Sequence, residues 1–164
     1  MKRAGAILGS AIFLAIAPGT VAVYVPWMIC RWHLASPLLG LFSLRTIGAL
    51  MIVVGLPVLL DSFARFAFQG LGTPAPVAPT QNLVVTGLYR HVRNPMYVAV
   101  SALILGQGLL FGNVVVLEYG FIVWLAFLGF VALYEEPTLR RQFGFQYEEY
   151  CNRVPRWFPR IKAR

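Results

Sequence analysis

The sequence predicts an all-α polytopic membrane protein: a transmembrane helical bundle of about four spans, the last two a tight hairpin, then a C-terminal amphipathic interfacial helix. Three observations carry this expectation. Hydrophobic residues make up 59% of the 164-residue chain and charged residues 12%, about half the charged share of a soluble domain. One soluble core of this size cannot hide so much apolar surface. The apolar residues gather into runs of helical length, and lysine and arginine sit mostly at the ends of those runs, as they do when they orient helices in a bilayer.

The first run covers residues 5–29. Met1, Lys2 and Arg3 ahead of it imitate the start of a signal peptide. The apolar run continues past Pro18 through Val25 towards Trp27, so an uncleaved spanning helix is expected. Pro18-Gly19 should kink it, because proline removes a helix hydrogen bond. The second run covers about 41–68. Asp61 and Arg65, four apart near its end, read as a snorkelling ion pair ahead of a substrate contact. The 69–94 loop opens with Gly70-Leu71-Gly72-Thr73-Pro74-Ala75-Pro76, which cannot continue a helix. At this length it is either a linker or a functional loop. The third run, Pro95 to near Phe111, is short for a bilayer, as a tilted or sheltered helix would be. Only Gly112 and Asn113 separate it from the fourth, Val114 to about Tyr134, so these two should form an antiparallel hairpin. The chain is thus one membrane domain over 1–164, divided at 1–68, 69–94, 95–134 and 135–164.

In the tail, Pro137 suits the first turn of a new helix. Leu139, Phe143, Tyr147 and Tyr150 then recur at helical spacing opposite Arg140, Arg141, Gln146, Glu148 and Glu149, as on a helix lying at a membrane surface. Arg153 to Arg160, with Trp157 and Phe158, reads as an interfacial anchor. Trp27 and Trp32 read as aromatic-belt residues, and Glu118 as interfacial.

The net charge of +8 raises nucleic acid as a partner. The basic residues lie at span ends rather than on one reading face, which favours orientation and contact with anionic lipid over nucleic-acid binding. With four spans, Lys2, Arg3, Arg65, Arg90, Arg93 and the tail arginines share one side, and only Arg31 and Arg45 fall on the other. Both termini are therefore expected in the cytoplasm. Cys30 and Cys151 would lie on opposite sides, against a disulfide between them. No Cys/His cluster has metal-ligand spacing, so no metal site is expected. The oligomeric state is left open.

Two polar clusters crowd against the spans: Tyr89-Arg90-His91-Val92-Arg93-Asn94-Pro95-Met96-Tyr97 entering the third, and Tyr134-Glu135-Glu136-Pro137 leaving the fourth. A hairpin brings both to one face, the cytoplasmic one. Adjacent carboxylates at a membrane boundary need a nearby cation, which Arg90, Arg93 or a cationic ligand would supply. A plainer reading stands beside this one. The arginines are positive-inside anchors, Tyr97 is interfacial, and the glutamates favour a helix N-terminus.

The pattern Gly87-Leu88-Tyr89-Arg90, Arg93-Asn94-Pro95-Met96-Tyr97, Glu135-Glu136, Leu139, Phe143-Gly144, Tyr147, Tyr150 and Val154-Pro155 resembles the isoprenylcysteine carboxyl methyltransferases and the related phospholipid N-methyltransferases. The resemblance covers roughly residues 70–160. It implies an integral membrane methyltransferase using S-adenosylmethionine without a Rossmann domain, and the chain has no Gly-rich strand-to-helix signature. It also implies that Tyr89, His91, Arg93, Asn94, Pro95 and Tyr97 line the cofactor pocket, with Gly70 and Gly72 as a matching glycine pair. Glu135 and Glu136 would hold the cofactor or orient the acceptor. Isoprenylcysteine enzymes usually carry His at Asn94 and often Gly at Ala99. Asn cannot accept a proton at neutral pH, which turns the resemblance towards the lipid enzymes.

Methyl transfer from a sulfonium is an in-line displacement that rests mainly on positioning, which supplies up to roughly 7–11 kcal/mol. An amine acceptor must also lose a proton, and Glu135 or Glu136 is placed to take it. A carboxylate acceptor needs a cation instead, for which Arg140 or Arg141 is the candidate. The acceptor is accordingly expected to be a lipid or lipid-like molecule, phospholipid amines first and prenylcysteine carboxylates second. The rival reading is a non-catalytic scaffold or small transporter. A transporter would carry broken helices or polar groups at the bilayer midplane, whereas this chain gathers its polar groups at one face.

Overall fold

The computed structural model describes residues 3–70 and 82–159, and among them every regular element is helical. Three helices are long and apolar enough to cross a membrane: Ile7–Cys30, Phe42–Gly70 and Val114–Phe143.

The first is built from α1 (Arg3–Gly19), a π-helical turn (Thr20–Tyr24) and α2 (Val25–Cys30). The break expected at Pro18-Gly19 takes the form of this wider turn. Within it the Val25 N–H bonds the Thr20 carbonyl, which leaves the Val21 carbonyl without its α-helical donor. Pro26 has no N–H to give the Ala22 carbonyl. Freed carbonyls inside a bilayer must find donors elsewhere in the bundle. The Tyr119 hydroxyl donates to Val21 O at 2.9 Å, and Gln107 Nε2 donates to Ala22 O at 2.7 Å.

The second span is α3 (Phe42–Arg65), ending in another π turn (Phe66–Gly70). It packs along α4 (Pro95–Phe111), and small residues bring the two backbones together. A Cβ on Gly48 would stand 2.6 Å from the Gly106 carbonyl, and one on Gly106 would stand 2.8 Å from the Gly48 carbonyl. One turn pair nearer the site, Gly55 faces Ala99. The 17 residues of α4 reach only about 26 Å at 1.5 Å per residue. It falls short of the length of the three spanning helices and is sheltered by the rest of the bundle. Ala99, Val100, Leu103 and Ile104 are all buried, and Ile104 meets the fully buried Val116 in the central core.

Helix α5 (Val114–Phe130) returns after the two-residue turn that the sequence indicates. Gly112 ends α4 in the left-handed conformation at φ 68°, and Asn113 Oδ1 caps α5 by accepting from the Val116 N–H at 3.0 Å. A third π turn (Val131–Glu135) leads into α6 (Glu136–Phe143), and α7 (Phe145–Arg153) follows.

The tail differs from a single surface helix. Gly144 (φ 51°, ψ −124°) divides it, in a conformation closed to residues with a Cβ. The chain turns there, and the stripe of Leu139, Phe143, Tyr147 and Tyr150 packs with Leu83, Cys151 and Val154. The apolar face covers the protein's own end. The charged face matches expectation: Arg140, Arg141, Gln146, Glu148 and Glu149 are all exposed.

Candidate functional site

Three stretches meet where α4 begins. The first is the entry to α4 itself. Proline at the first helical position holds Asn94 outside the helix, at φ −123° and ψ 51°. Asn94 makes no side-chain cap there. Its Nδ2 instead donates to the Arg156 carbonyl at 3.1 Å, and the Arg93 N–H donates to the Pro155 carbonyl at 2.9 Å.

The second stretch is the π turn ending α5. Pro137 cannot donate to the carbonyl four residues back, and the Glu136 N–H reaches Val131 O instead. Val131 and Glu136, five apart, are both buried. Glu135 Oε2 accepts from the Tyr97 hydroxyl at 2.6 Å. The Tyr97 ring packs on Phe127 at 4.8 Å.

The third stretch is the tail beyond α7. Arg156 grips Glu136 with two parallel bonds, Nε to Oε1 and Nη2 to Oε2, each 2.7 Å. Arg93 Nη1 approaches the same carboxylate at 3.1 Å and donates to Cys151 Sγ at 2.7 Å. The Tyr150 hydroxyl donates to the Tyr89 carbonyl at 2.7 Å, and Trp157 sets its edge on Trp124 at 4.8 Å. Burial pushes the phenols of Tyr89, Tyr147 and Tyr150 above the ordinary tyrosine range. The bond to Glu136 raises Arg156, against the opposing pull of desolvation.

Between these stretches lies a cavity of about 60 Å³. Phe66, Val84, Val131 and Leu139 supply apolar wall, and Arg93, Asn94, Glu135 and Glu136 supply polar groups. Among the described residues Arg93 Nε is buried without a hydrogen-bond partner, and Glu135 forms no ion pair while Glu136 meets two guanidiniums.

Of the residues singled out from sequence, Tyr89, Arg93, Asn94, Glu135 and Glu136 line the cavity. Tyr97 is tied to it through Glu135, while Pro95 and Gly70 are buried but do not line it. His91 and Arg90 are exposed at the end of a 3-10 turn. Gly72 lies outside the described residues. The structure does not bring Arg140 or Arg141 to the cavity: Arg140 pairs with Glu148 at 3.2 Å, and Arg141 Nε donates to its own helix at Pro137 O. Glu136 and Leu139 take the inward face of α6, which leaves the two arginines to solvent.

Arg156 is the residue that sequence reasoning missed, since among Trp157, Phe158 and other arginines it reads as an anchor. The available signal was Val154-Pro155 just before it. Proline makes an extended approach, and two carboxylates at a span end demand cations.

Residues 44–146 match the model of the family described as "Phospholipid methyltransferase". Over 80 residues the chain is 38% identical to "Protein-S-isoprenylcysteine O-methyltransferase" of Schizosaccharomyces pombe, a match covering 48% of this chain and 34% of that protein. The chain therefore spans about a third of the length of this curated relative.

Proposed function

The chain belongs to the phospholipid methyltransferase family, and from that premise we propose that it is an integral membrane methyltransferase. It uses S-adenosylmethionine and methylates a lipid or lipid-like acceptor at the cytoplasmic face, with both termini on that side. The observation that carries this reading is the meeting of Tyr97–Glu135 with Arg93–Glu136–Arg156 around one cavity at the end of the bundle. Arg65, Arg90, Arg93 and the tail arginines gather at this same end, which supports the cytoplasmic assignment.

The residues present fit the cofactor. Phe66, Val84 and Val131 offer apolar surface for an adenine, and Glu135 offers a carboxylate without a competing guanidinium for ribose hydroxyls or a cationic centre. The unpartnered Arg93 Nε suits a carboxylate. At about 60 Å³ the cavity is well below the roughly 300–1,000 Å³ of ligand sites, so the reading includes a parting of its walls on binding.

Bound there, the cofactor supplies an electrophilic methyl group on a sulfonium. The protein's part is to align the acceptor behind that methyl and to exclude water. Tyr97 holds the Glu135 carboxylate through Oε2, and Glu135 takes the proton that an amine acceptor must lose. Glu136, with both oxygens engaged by arginines, acts as the tie between span and tail. Phospholipid amines are the first acceptor class, reached sideways from the bilayer.

O-methylation of a prenylcysteine carboxylate is the second reading, favoured by the buried Arg93 Nε and by the fission yeast relative. A non-catalytic scaffold or transporter is the alternative. Calorimetry with S-adenosylmethionine on the detergent-purified protein separates them. Micromolar binding that Glu135→Gln weakens at least about tenfold, or 1.4 kcal/mol, supports the enzyme. A folded wild type that binds nothing, with lipid added back, favours the non-catalytic reading.

A further inference from the structure

We infer that Arg65 is a positioning residue that fixes one wall of the candidate cofactor site, with Asp61 as its orienter. This rests on the methyltransferase reading above. The pair invites a plainer account as a snorkelling anchor, but its geometry goes further. Asp61 binds the guanidinium through both oxygens, at 2.7 and 2.9 Å, one turn back on α3. The remaining nitrogen, Nη1, donates to Thr86 Oγ1 at 3.2 Å, and the Thr86 hydroxyl donates in turn to Gln69 Oε1.

Gly87 makes this approach possible. It sits at φ 56°, and a Cβ there would run into the guanidinium itself. Gly87 also begins the 3-10 turn Gly87–Arg90, which carries Tyr89. The Asn82 side chain donates to Gln69 O at 3.3 Å, so this region meets the π turn that ends the second span at a second point. One guanidinium thus locks the turn against the second span. The residues beside the lock form the wall: Phe66 meets the Tyr89 ring edge-on at 5.7 Å, and both line the cavity with Val84.

A membrane anchor needs only positive charge, and lysine supplies that. The lock needs a planar fork with three nitrogens in fixed directions. An exposed ion pair is worth little by itself, and Asp61 is 39% exposed at its side chain, so the value of the pair lies in orienting the third nitrogen.

The test compares the full-length, detergent-purified wild type with Arg65→Lys, Asp61→Asn and Gly87→Ala. The first readout is hydrogen–deuterium exchange of the 82–92 amides without cofactor; the second is S-adenosylmethionine affinity. Arg65→Lys and Gly87→Ala should each speed exchange over 82–92 by about tenfold, as local opening does. Exchange in α4 and α5 should stay unchanged. The same variants should weaken cofactor binding at least about fivefold, with no further loss when combined. Wild-type exchange in Arg65→Lys would overturn the inference and leave an anchor. Faster exchange with unchanged affinity would overturn the positioning role. If the wild type itself binds no cofactor, the methyltransferase reading fails, and the exchange data still decide whether the lock exists.

Discussion

Replacing Glu136 by alanine tests the logic of the site most directly. The Glu136 side chain is 7% exposed, and it faces Arg93 at 12% and Arg156 at 41% side-chain exposure. Among the described residues, removing it leaves Arg93 buried with a thiol, Cys151, as its remaining side-chain partner. Breaking a buried pair from one side costs about 3–5 kcal/mol. The Arg156 half is better solvated, and solvent screening limits its share to about 1 kcal/mol. Arg156→Ala should therefore cost only about 1–2 kcal/mol, since Glu136 keeps Arg93 and its own charge-assisted bond. In a chain of 164 residues the Glu136→Ala loss corresponds to a fall in Tm on the order of 10 °C. The assay is thermal unfolding in detergent of both single variants and the double variant. The cycle should give a coupling of about 0.5–3 kcal/mol, with the double variant close to Glu136→Ala. Equal losses in the two single variants, or strict additivity, would refute the view that Glu136 neutralises Arg93 and ties the tail down.

Other outcomes follow from packing and polar satisfaction. Gly48→Ala forces a methyl to 2.6 Å from the Gly106 carbonyl and 2.7 Å from the Leu110 nitrogen. It should cost about 1–3 kcal/mol by overpacking, read as earlier unfolding in detergent, and a neutral result would mean that α3 and α4 are further apart. Gln107→Leu removes the donor to Ala22 O and the acceptor of the Trp32 indole bond. About 1–2 kcal/mol should be lost on orphaning these groups, and Trp32 fluorescence should shift with it. The buried phenols of Tyr89, Tyr147 and Tyr150 have raised folded-state values, so the folded state holds these protons more tightly than the unfolded chain. Their contribution to stability is full below the ordinary tyrosine value of about 10 and is lost as pH rises through the folded values. Alkaline titration should show tyrosinate absorbance from these three only as helical circular dichroism falls; early ionisation in a folded protein would contradict the burial.

Much of the fold was legible because its signals are local. An apolar run between basic ends marks a span whatever surrounds it, and Gly112-Asn113 between two runs leaves room only for a hairpin. That hairpin alone brings Tyr97 to Glu135 and Arg93 to Glu136, which is why half of the candidate site is legible in the sequence. Helical spacing likewise revealed the stripe from Leu139 to Tyr150.

What that stripe faces is another matter. Periodicity shows that a face is apolar, and lipid or a neighbouring turn satisfies it equally well. Only the break at Gly144 turned it onto Leu83 and Val154. Arg156 became the partner of a carboxylate 20 residues earlier, and Arg140, closer in sequence, went to Glu148. The carbonyls freed at Val21 and Ala22 were met by Tyr119 and Gln107 from distant helices. Sequence by itself determined which segments form apolar helices and which polar groups gather at their ends, because burial of apolar residues and helix periodicity act within a few turns. Tertiary structure alone decided which arginine neutralises which glutamate and which wall closes the cavity, because a charge or an open carbonyl takes the partner that packing brings within 3 Å or so.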